Sequence, residues 1–436
     1  MNAYSNLIRH AGNKQLFHAL EMSISAQCND YPFHIHAEGV RGTGKTTIMR
    51  SARKILPSIL RIKGCIYNCD PNAPHCPQHR HLTANEVEAL ESEYIPRPFL
   101  EISHSAKIGT VVGSIDIGKL TDKSNSMAAL LPGTIPQAHR GIIFIDEINR
   151  LADTSPELAD VLLDVMGSKP GRVQIEETGL PAVEMPISVS IWAASNPDEE
   201  PGSLSLIRKQ LADRFDVTVA MERPNDYETV YDILNQPSQT LPCDQSTLAL
   251  PTGELKLIQV QSSIKRVLAA VYVDFELESL RAVKSLELAA SLSTLVMGRR
   301  LVTIADVIRV VPLVLAHRTT TATIVNIIKY LETIESDAAT CTDAASTAAL
   351  AMVGAAGNHH KSNMSWWKKL WEDIRKILQA GSFYSSGHQI LGANNQSSGS
   401  GKMQKPPDAP MIAPAKKALP LSQVPDEQFV TVEAKK

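Results

Sequence analysis

Eight consecutive residues, Gly39-Val40-Arg41-Gly42-Thr43-Gly44-Lys45-Thr46, follow the pattern G-x-x-x-x-G-K-[ST]. Glycines at these positions allow backbone angles that turn successive N–H groups toward one point, which suits a chain of phosphates. Lys45 would neutralise the outer phosphate charge, and the Thr46 hydroxyl would ligate Mg²⁺. Thr47 extends the set into the helix that follows, whose positive end points at the same phosphates. The run FHIHAE (33–38) before the loop reads as a strand and TTIMRSARKIL after it as a helix. Strand, loop and helix in this order argue against a Gly-rich surface turn with an exposed lysine.

A second chemical element is Ile142-Ile143-Phe144-Ile145-Asp146-Glu147, an apolar strand that ends in two acids. Such a strand delivers its acids to the crevice at the carboxyl end of a parallel sheet. There Asp146 would hold Mg²⁺ and Glu147 would orient or activate the attacking water. Asn196 ends a third strand, ISVSIWAAS (187–195), where its amide would sense a terminal phosphate or simply cap the strand. Arg214, in Leu-Ala-Asp-Arg-Phe, would reach a neighbouring subunit's nucleotide, or pair at the surface with Asp213 or Asp216. Arg208 is a second residue for such a contact. Arg281 would lean onto the γ-phosphate from a helical region.

These residues need a scaffold, and the chain is long enough to build one. It has 436 residues, 43% of them hydrophobic and 20% charged, which excludes a disordered protein or a coiled-coil rod. Lys and Arg number 43 against 46 Asp and Glu, so no global basic field exists to hold nucleic acid. No long uncharged apolar run predicts a membrane span, and the first residues lack the apolar core of a signal peptide. Six cysteines are too few for a disulfide scaffold, which points to a reducing, cytoplasmic setting.

The pattern predicts an α/β domain over 1–222, with a parallel sheet flanked by helices. A helical domain follows over 223–335, carried by periodic runs at 279–297 and 304–317. The composition of 336–436 predicts a mobile tail with an amphipathic, Trp-rich helix near 365–380. That helix would dock a partner or a membrane surface, or pack back on its own domain.

Taken together, the elements resemble the AAA+ ATPases, and more narrowly the smaller ATPase subunit of magnesium chelatase. The resemblance covers roughly residues 30–320. It rests on GVRGTGKTTIMRSARKILP, GCIYNCDPNAP (64–74), VVGSIDIGKL (111–120), LLPGTIPQAHRGIIFIDEINRLAD (130–153), SNPDEEPGSLSLIRKQLADRF (195–215) and the run 279–318. It implies an AAA+ P-loop domain, a helical lid, ATP and Mg²⁺ as cofactors, and a homo-oligomeric ring with ATP between subunits. It matches Asn196 to the first sensor, Arg214 to the arginine finger and Arg281 to the second sensor. The partners it implies are a larger AAA+/integrin-like subunit and a tetrapyrrole-binding subunit. The reaction would insert Mg²⁺ into protoporphyrin, or Co²⁺ into a corrin precursor in related enzymes. It also implies a β-hairpin over 168–187 and an insertion over 111–135 that decorates the ring face.

Two other functions compete. A MoxR-like AAA+ remodelling chaperone would share the ATPase core but not the NCDP and AHRG stretches. A non-hydrolysing ATP-binding module would lack Glu147, Asn196, Arg214 or Arg281, and none is missing. Finally, Cys65, Cys69, Cys76, His79 and His81 lie within 17 residues. Such groups can bind Zn²⁺, but the spacing C-x₃-C-x₆-C-x₂-H is not a standard knuckle, and the favoured reading is a polar loop with incidental thiols.

Overall fold

The computed structural model describes residues 4–115, 130–175, 183–235 and 253–350. Eleven strands are described: β1 Ile35–Gly39, β2 Ile59–Ile62, β3 Ser92–Ile95, β4 Phe99–Ile102, β5 Gly113–Ile115, β6 Leu130–Pro132, β7 Ile142–Ile145, β8 Gly171–Ile175, β9 Val183–Ile187, β10 Ser190–Ser195 and β11 Val217–Met221. The longer helices are α1 Lys14–Cys28, α2 Lys45–Ala52, α3 Ile148–Thr154, α4 Pro156–Val165, α5 Lys209–Arg214, α6 Tyr227–Asn235, α7 Ser262–Asp274, α8 Leu280–Val296, α9 Ile304–Leu315 and α10 Thr321–Leu350.

Five strands form one sheet in the order β11-β1-β10-β7-β4, and every pair in it is parallel. All four residues of β7 and all six of β10 are buried, as expected where helices cover both faces. On one face, α1, α8 and α9 pack with Trp192, Ile35 and Val219 in a single apolar core. On the other, α3 and α4 pack with Ile143, Ile145 and Ile191. Two buried polar side chains between sheet and α1 satisfy each other: Trp192 Nε1 donates to Ser23 Oγ at 2.9 Å, and Ser23 Oγ donates to the Phe33 carbonyl at 2.8 Å.

The registers set the site. Ile35 pairs with Trp192 and Val217, while Gly39 pairs with Met221 and Glu38 with Ser195. The phosphate loop, Asp146 and Asn196 therefore all leave the sheet at its carboxyl end. Arg214 and Asp216 precede β11 and lie at the opposite, amino end.

The hairpin expected over 168–187 is β8 paired antiparallel with β9, Gly171 opposite Ile187. Its turn lies outside the described residues. β5 and β6 pair at the base of the expected insertion, whose centre is likewise outside them. Helix α10 runs on to Leu350, past residue 335 where the sequence reading starts its mobile tail. The Ala-rich composition there, AATCTDAASTAAL, sustains a helix because alanine loses no side-chain entropy in one. The rest of the tail and the Trp-rich segment 365–380 lie outside the described residues.

Candidate functional site

Gly42 and Gly44 have φ of +82° and +86°, the left-handed region that a β-carbon disfavours. Gly44 caps α2, so the loop turns its amides and the helix start toward the same space. A β-carbon built on Gly42 would meet nothing within 4 Å, so the loop borders open space. Lys45 is 6% exposed. Its ammonium donates to the Gly39 carbonyl at 2.5 Å, the Val40 carbonyl at 2.9 Å and Thr43 Oγ1 at 3.4 Å. Burial lowers the Lys45 pKa from its ordinary value, against the pull of Asp198, Asp146 and Glu199. Val40 and Arg41 form the exposed rim of the loop, and Thr47 is exposed on α2.

Thr46 Oγ1 donates to Asp146 at 3.2 Å and 3.3 Å, bringing a hydroxyl and a carboxylate from positions a hundred residues apart to one point. That pair suits a hard, oxygen-seeking cation such as Mg²⁺. Arg50 lies 3.9 Å from the Asp146 carboxylate while it grips Glu101 at 2.8 Å.

Glu147 follows Asp146 with φ +55° and ψ +49° and caps α3. A non-glycine residue held in this region stores strain, and such positions cluster at functional sites. Arg150 reaches Glu147 at 3.3 Å and Glu199 at 3.4 Å, and Arg41 closes the chain on Glu199 at 2.9 Å. The network thus links Glu147, the acidic loop after Asn196 and the phosphate loop. Asn149 Nδ2 donates to the carbonyls of Asn196 at 3.4 Å and Gly202 at 3.0 Å, fixing the loop that carries Asn196. Arg150, Glu199 and Asn149 lie in the family-like segments 130–153 and 195–215, but nothing in their spacing marks these contacts.

Arg214 and Arg281 lie together elsewhere. They line a cavity of about 590 Å³ with Gly167, Lys169, Asp213 and Lys284. Among the described residues Arg214 makes no ion pair, and its Nη1 lies where a β-carbon on Gly167 would come within 3.0 Å. Desolvation and the adjacent Arg281 lower its pKa. Arg281 Nη1 meets Asp213 Oδ2 at 3.3 Å, beside Arg214 and away from the phosphate loop of the same chain. The reason is topological. Asp213 and Arg214 sit at the amino end of β11, and roughly 16 Å of strand separates that end from the loop. Arg208, the other arginine considered, pairs with Asp160 at 2.7 Å.

The cysteine loop also departs from the sequence reading. Cys65, Cys69, Cys76 and His79 converge, whereas His81 accepts from Arg80 at the surface. Their nonstandard spacing is closed by a folded loop, tied by Arg61 to Asn68 at 2.9 Å and to the Cys65 carbonyl at 3.1 Å.

A family model described as magnesium chelatase, subunit ChlI, matches residues 9–205, and an AAA lid domain model matches residues 266–328. The magnesium-chelatase 38 kDa subunit of Acidiphilium rubrum is 32% identical over 298 residues, spanning 65% of this chain and 82% of that protein. This chain belongs to the magnesium chelatase ChlI family. Two plant members are also similar. The chloroplastic magnesium-chelatase subunit ChlI-2 of Arabidopsis thaliana is 29% identical over 298 residues, covering 64% of this chain and 68% of it. Its counterpart in Oryza sativa subsp. japonica is 32% identical over 305 residues, with the same coverage. Membership in this family of AAA+ ATPases, rather than among MoxR-like chaperones, implies nucleotide use with Mg²⁺. No helix among the described residues is long and apolar enough to cross a membrane.

Proposed function

We propose that this chain is the ATP-hydrolysing motor subunit of a metal chelatase, driving insertion of Mg²⁺ into protoporphyrin IX, or of Co²⁺ into a corrin precursor, on another subunit. The observation that carries this reading is the split of the machinery between the two ends of one sheet. Lys45, Thr46 and Asp146 stand at the carboxyl end, and Arg214 with Arg281 at the amino end. In a homo-oligomeric ring, the second set of one subunit meets the first set of the next, which completes the site.

In this reading the phosphate-loop amides and Lys45 hold the phosphates of ATP, and Thr46 with Asp146 would hold Mg²⁺. When bound, the cation would neutralise charge between the outer phosphates. Glu147, positioned by Arg150, accepts a proton from the attacking water. Asn196 contacts the terminal phosphate, and Arg214 and Arg281 of the neighbour stabilise the charge that develops on it. Loss of that phosphate releases the contacts between subunits and lets the helical lid, proposed over 223–335, turn against the α/β domain. The partners proposed are the larger AAA+/integrin-like subunit and the tetrapyrrole-binding subunit, in a cytoplasmic setting.

The deciding experiment measures ATPase rate against protein concentration, then mixes wild type with Arg214→Ala. A rate per chain that climbs with concentration and is poisoned by the variant supports shared sites. A rate per chain that is constant and indifferent to the variant overturns them. Chelation with the two partner subunits would then test the cargo.

A further inference from the structure

The loop between β2 and β3 lies apart from the nucleotide residues. Within it the sulfurs of Cys65, Cys69 and Cys76 and a ring nitrogen of His79 all lie within 4.8 Å of one another. The three cysteines are free and 2%, 0% and 0% exposed. We propose that these four residues form a structural Zn²⁺ site, with three thiolates and one imidazole as ligands.

The first argument is geometric. Zn²⁺ takes sulfur at about 2.3 Å and imidazole nitrogen at about 2.0–2.1 Å in a tetrahedron, so its ligand atoms end up roughly 3.5–3.8 Å apart. The cage here needs only small side-chain adjustments to reach that spacing, and Cys76 Sγ already lies 3.3 Å from His79 Nδ1. A disulfide would use two of the sulfurs and leave the third sulfur and the imidazole without a reason to converge. An iron–sulfur cluster spreads its ligands over two or more irons and needs a wider cage.

The second argument concerns the surroundings of the sulfurs. Cys69 Sγ accepts the backbone N–H groups of His75 and Cys76, both at 3.4 Å. His75 Nδ1 also lies 3.3 Å from that sulfur, while its ring stacks on His139 at 3.7 Å between centroids. Donors aimed at a ligating sulfur stabilise its thiolate form and hold it in place, as outer-shell groups around bound metals do. The third argument is that the loop has no regular secondary structure to hold it. Segment 64–82 has no helix or ladder strand, and the side chains it places in the apolar core are Tyr67, the partly buried Leu82 and the cysteines themselves. In small segments of this kind, metal binding supplies the folding free energy that regular structure does not.

The donor set also excludes the cation this family handles as cargo. Thiolates are soft, whereas Mg²⁺ demands oxygen, so the site serves the fold rather than the delivered ion. Its structural task is visible in the neighbours of the cysteines. Asn68 Nδ2 donates to the Gln137 carbonyl at 2.7 Å, and Asp70 pairs with Arg140 at 2.9 Å. Both contacts hold the segment that leads into β7, the strand that delivers Asp146 and Glu147.

The test uses the full chain without an affinity tag, purified under reducing conditions without chelator. Elemental analysis should find about one zinc per chain and negligible iron. Cys76→Ser and Cys65→Ser should each fall below about 0.2 zinc per chain after dialysis. Because misfolding of either variant would also lose zinc, the wild type is also stripped with a strong chelator. Its melting temperature should drop and be restored by Zn²⁺ but not by Mg²⁺, and Co²⁺ should give the absorption of a tetrahedral thiolate site. Absence of zinc in the reduced wild type with no thiolate spectrum on Co²⁺ addition overturns the proposal. So does zinc retained undiminished in folded cysteine variants, which would mark an adventitious ion, and so does iron with labile sulfide in its place.

Discussion

Arg318 binds Asp213: its Nε meets the Asp213 carboxylate at 3.0 Å. The rest of the guanidinium takes the carbonyls of Asp213 at 2.9 Å, Phe215 at 2.7 Å, Asp216 at 3.4 Å and Val314 at 2.7 Å. A residue beyond the end of α9 thereby fixes the backbone on both sides of Arg214. The side chain is only 5% exposed, so its loss leaves several buried acceptors unmet. Arg318→Ala should lose about 2–4 kcal/mol in urea unfolding and lower ATP turnover toward the Arg214→Ala level. Arg318→Lys should rescue little, because an ammonium cannot reproduce the fork. Wild-type stability and turnover in Arg318→Ala would remove this positioning role.

In the proposed mechanism Glu147 takes a proton from water, while Lys45, Thr46 and Asp146 hold the phosphates and cation. Glu147→Gln preserves shape and removes the base. It should bind ATP with near-normal affinity and turn it over about 10²–10⁴-fold more slowly. Lys45→Ala should instead fail at binding. Equilibrium nucleotide binding and single-turnover hydrolysis separate the two outcomes, and wild-type-like hydrolysis by Glu147→Gln would reassign the base.

The parts of this site legible in the sequence are those whose chemistry is local. Gly39 to Thr46 is a contiguous pattern, and Asp146 and Glu147 end an apolar run long enough to read as a buried strand. The strands ending at Gly39, Ile145 and Ser195 were found because each is buried on both faces. β4 and β11, four and five residues at the sheet's two edges, gave no comparable run. Arg318, Arg150 and Asn149 act through contacts set by tertiary packing, so no spacing betrays them. The cysteine cluster is illegible in the sequence for the same reason: a loop can bring ligands together at any spacing. The placement of Arg281 depends on which end of the sheet the lid meets, a fact of topology rather than of motif.

That placement yields a prediction of its own. If Arg281 and Arg214 act on the neighbouring subunit's nucleotide, Arg281→Ala should poison mixed rings as Arg214→Ala does. A ring containing Lys45→Ala subunits and Arg281→Ala subunits should still form some sites in which both groups are intact. Mixing two inactive variants should therefore recover a measurable fraction of wild-type turnover. Arg214→Ala alone should lose about 10³-fold or more. No recovery on mixing Lys45→Ala with Arg281→Ala, in rings shown to be mixed, would place Arg281 on its own subunit's nucleotide.

Acid should destabilise the fold through histidines that are buried neutral. Burial lowers the His18 pKa to about 4, helped by Arg309 and Arg9, and lowers that of His34 to about 3 against the opposing pull of Asp216. Both start from 6.5, so between that value and the folded pKa the unfolded chain holds the extra proton. Stability is therefore full above 6.5 and is lost as pH falls below it, by about 2 kcal/mol per histidine at pH 5. Asp216, whose pKa lies below its usual 3.8, keeps its charge across this range and adds nothing to the slope. His34 Nδ1 accepts the Ile191 N–H at 3.1 Å, and an asparagine oxygen can take that bond without titrating. Urea unfolding of His34→Asn should show a loss between pH 7.5 and 5 smaller than that of the wild type by about 2 kcal/mol, whatever its absolute stability. Equal losses in the two proteins would mean that His34 is protonated in the folded state, and the buried contact with Ile191 would have to be redrawn.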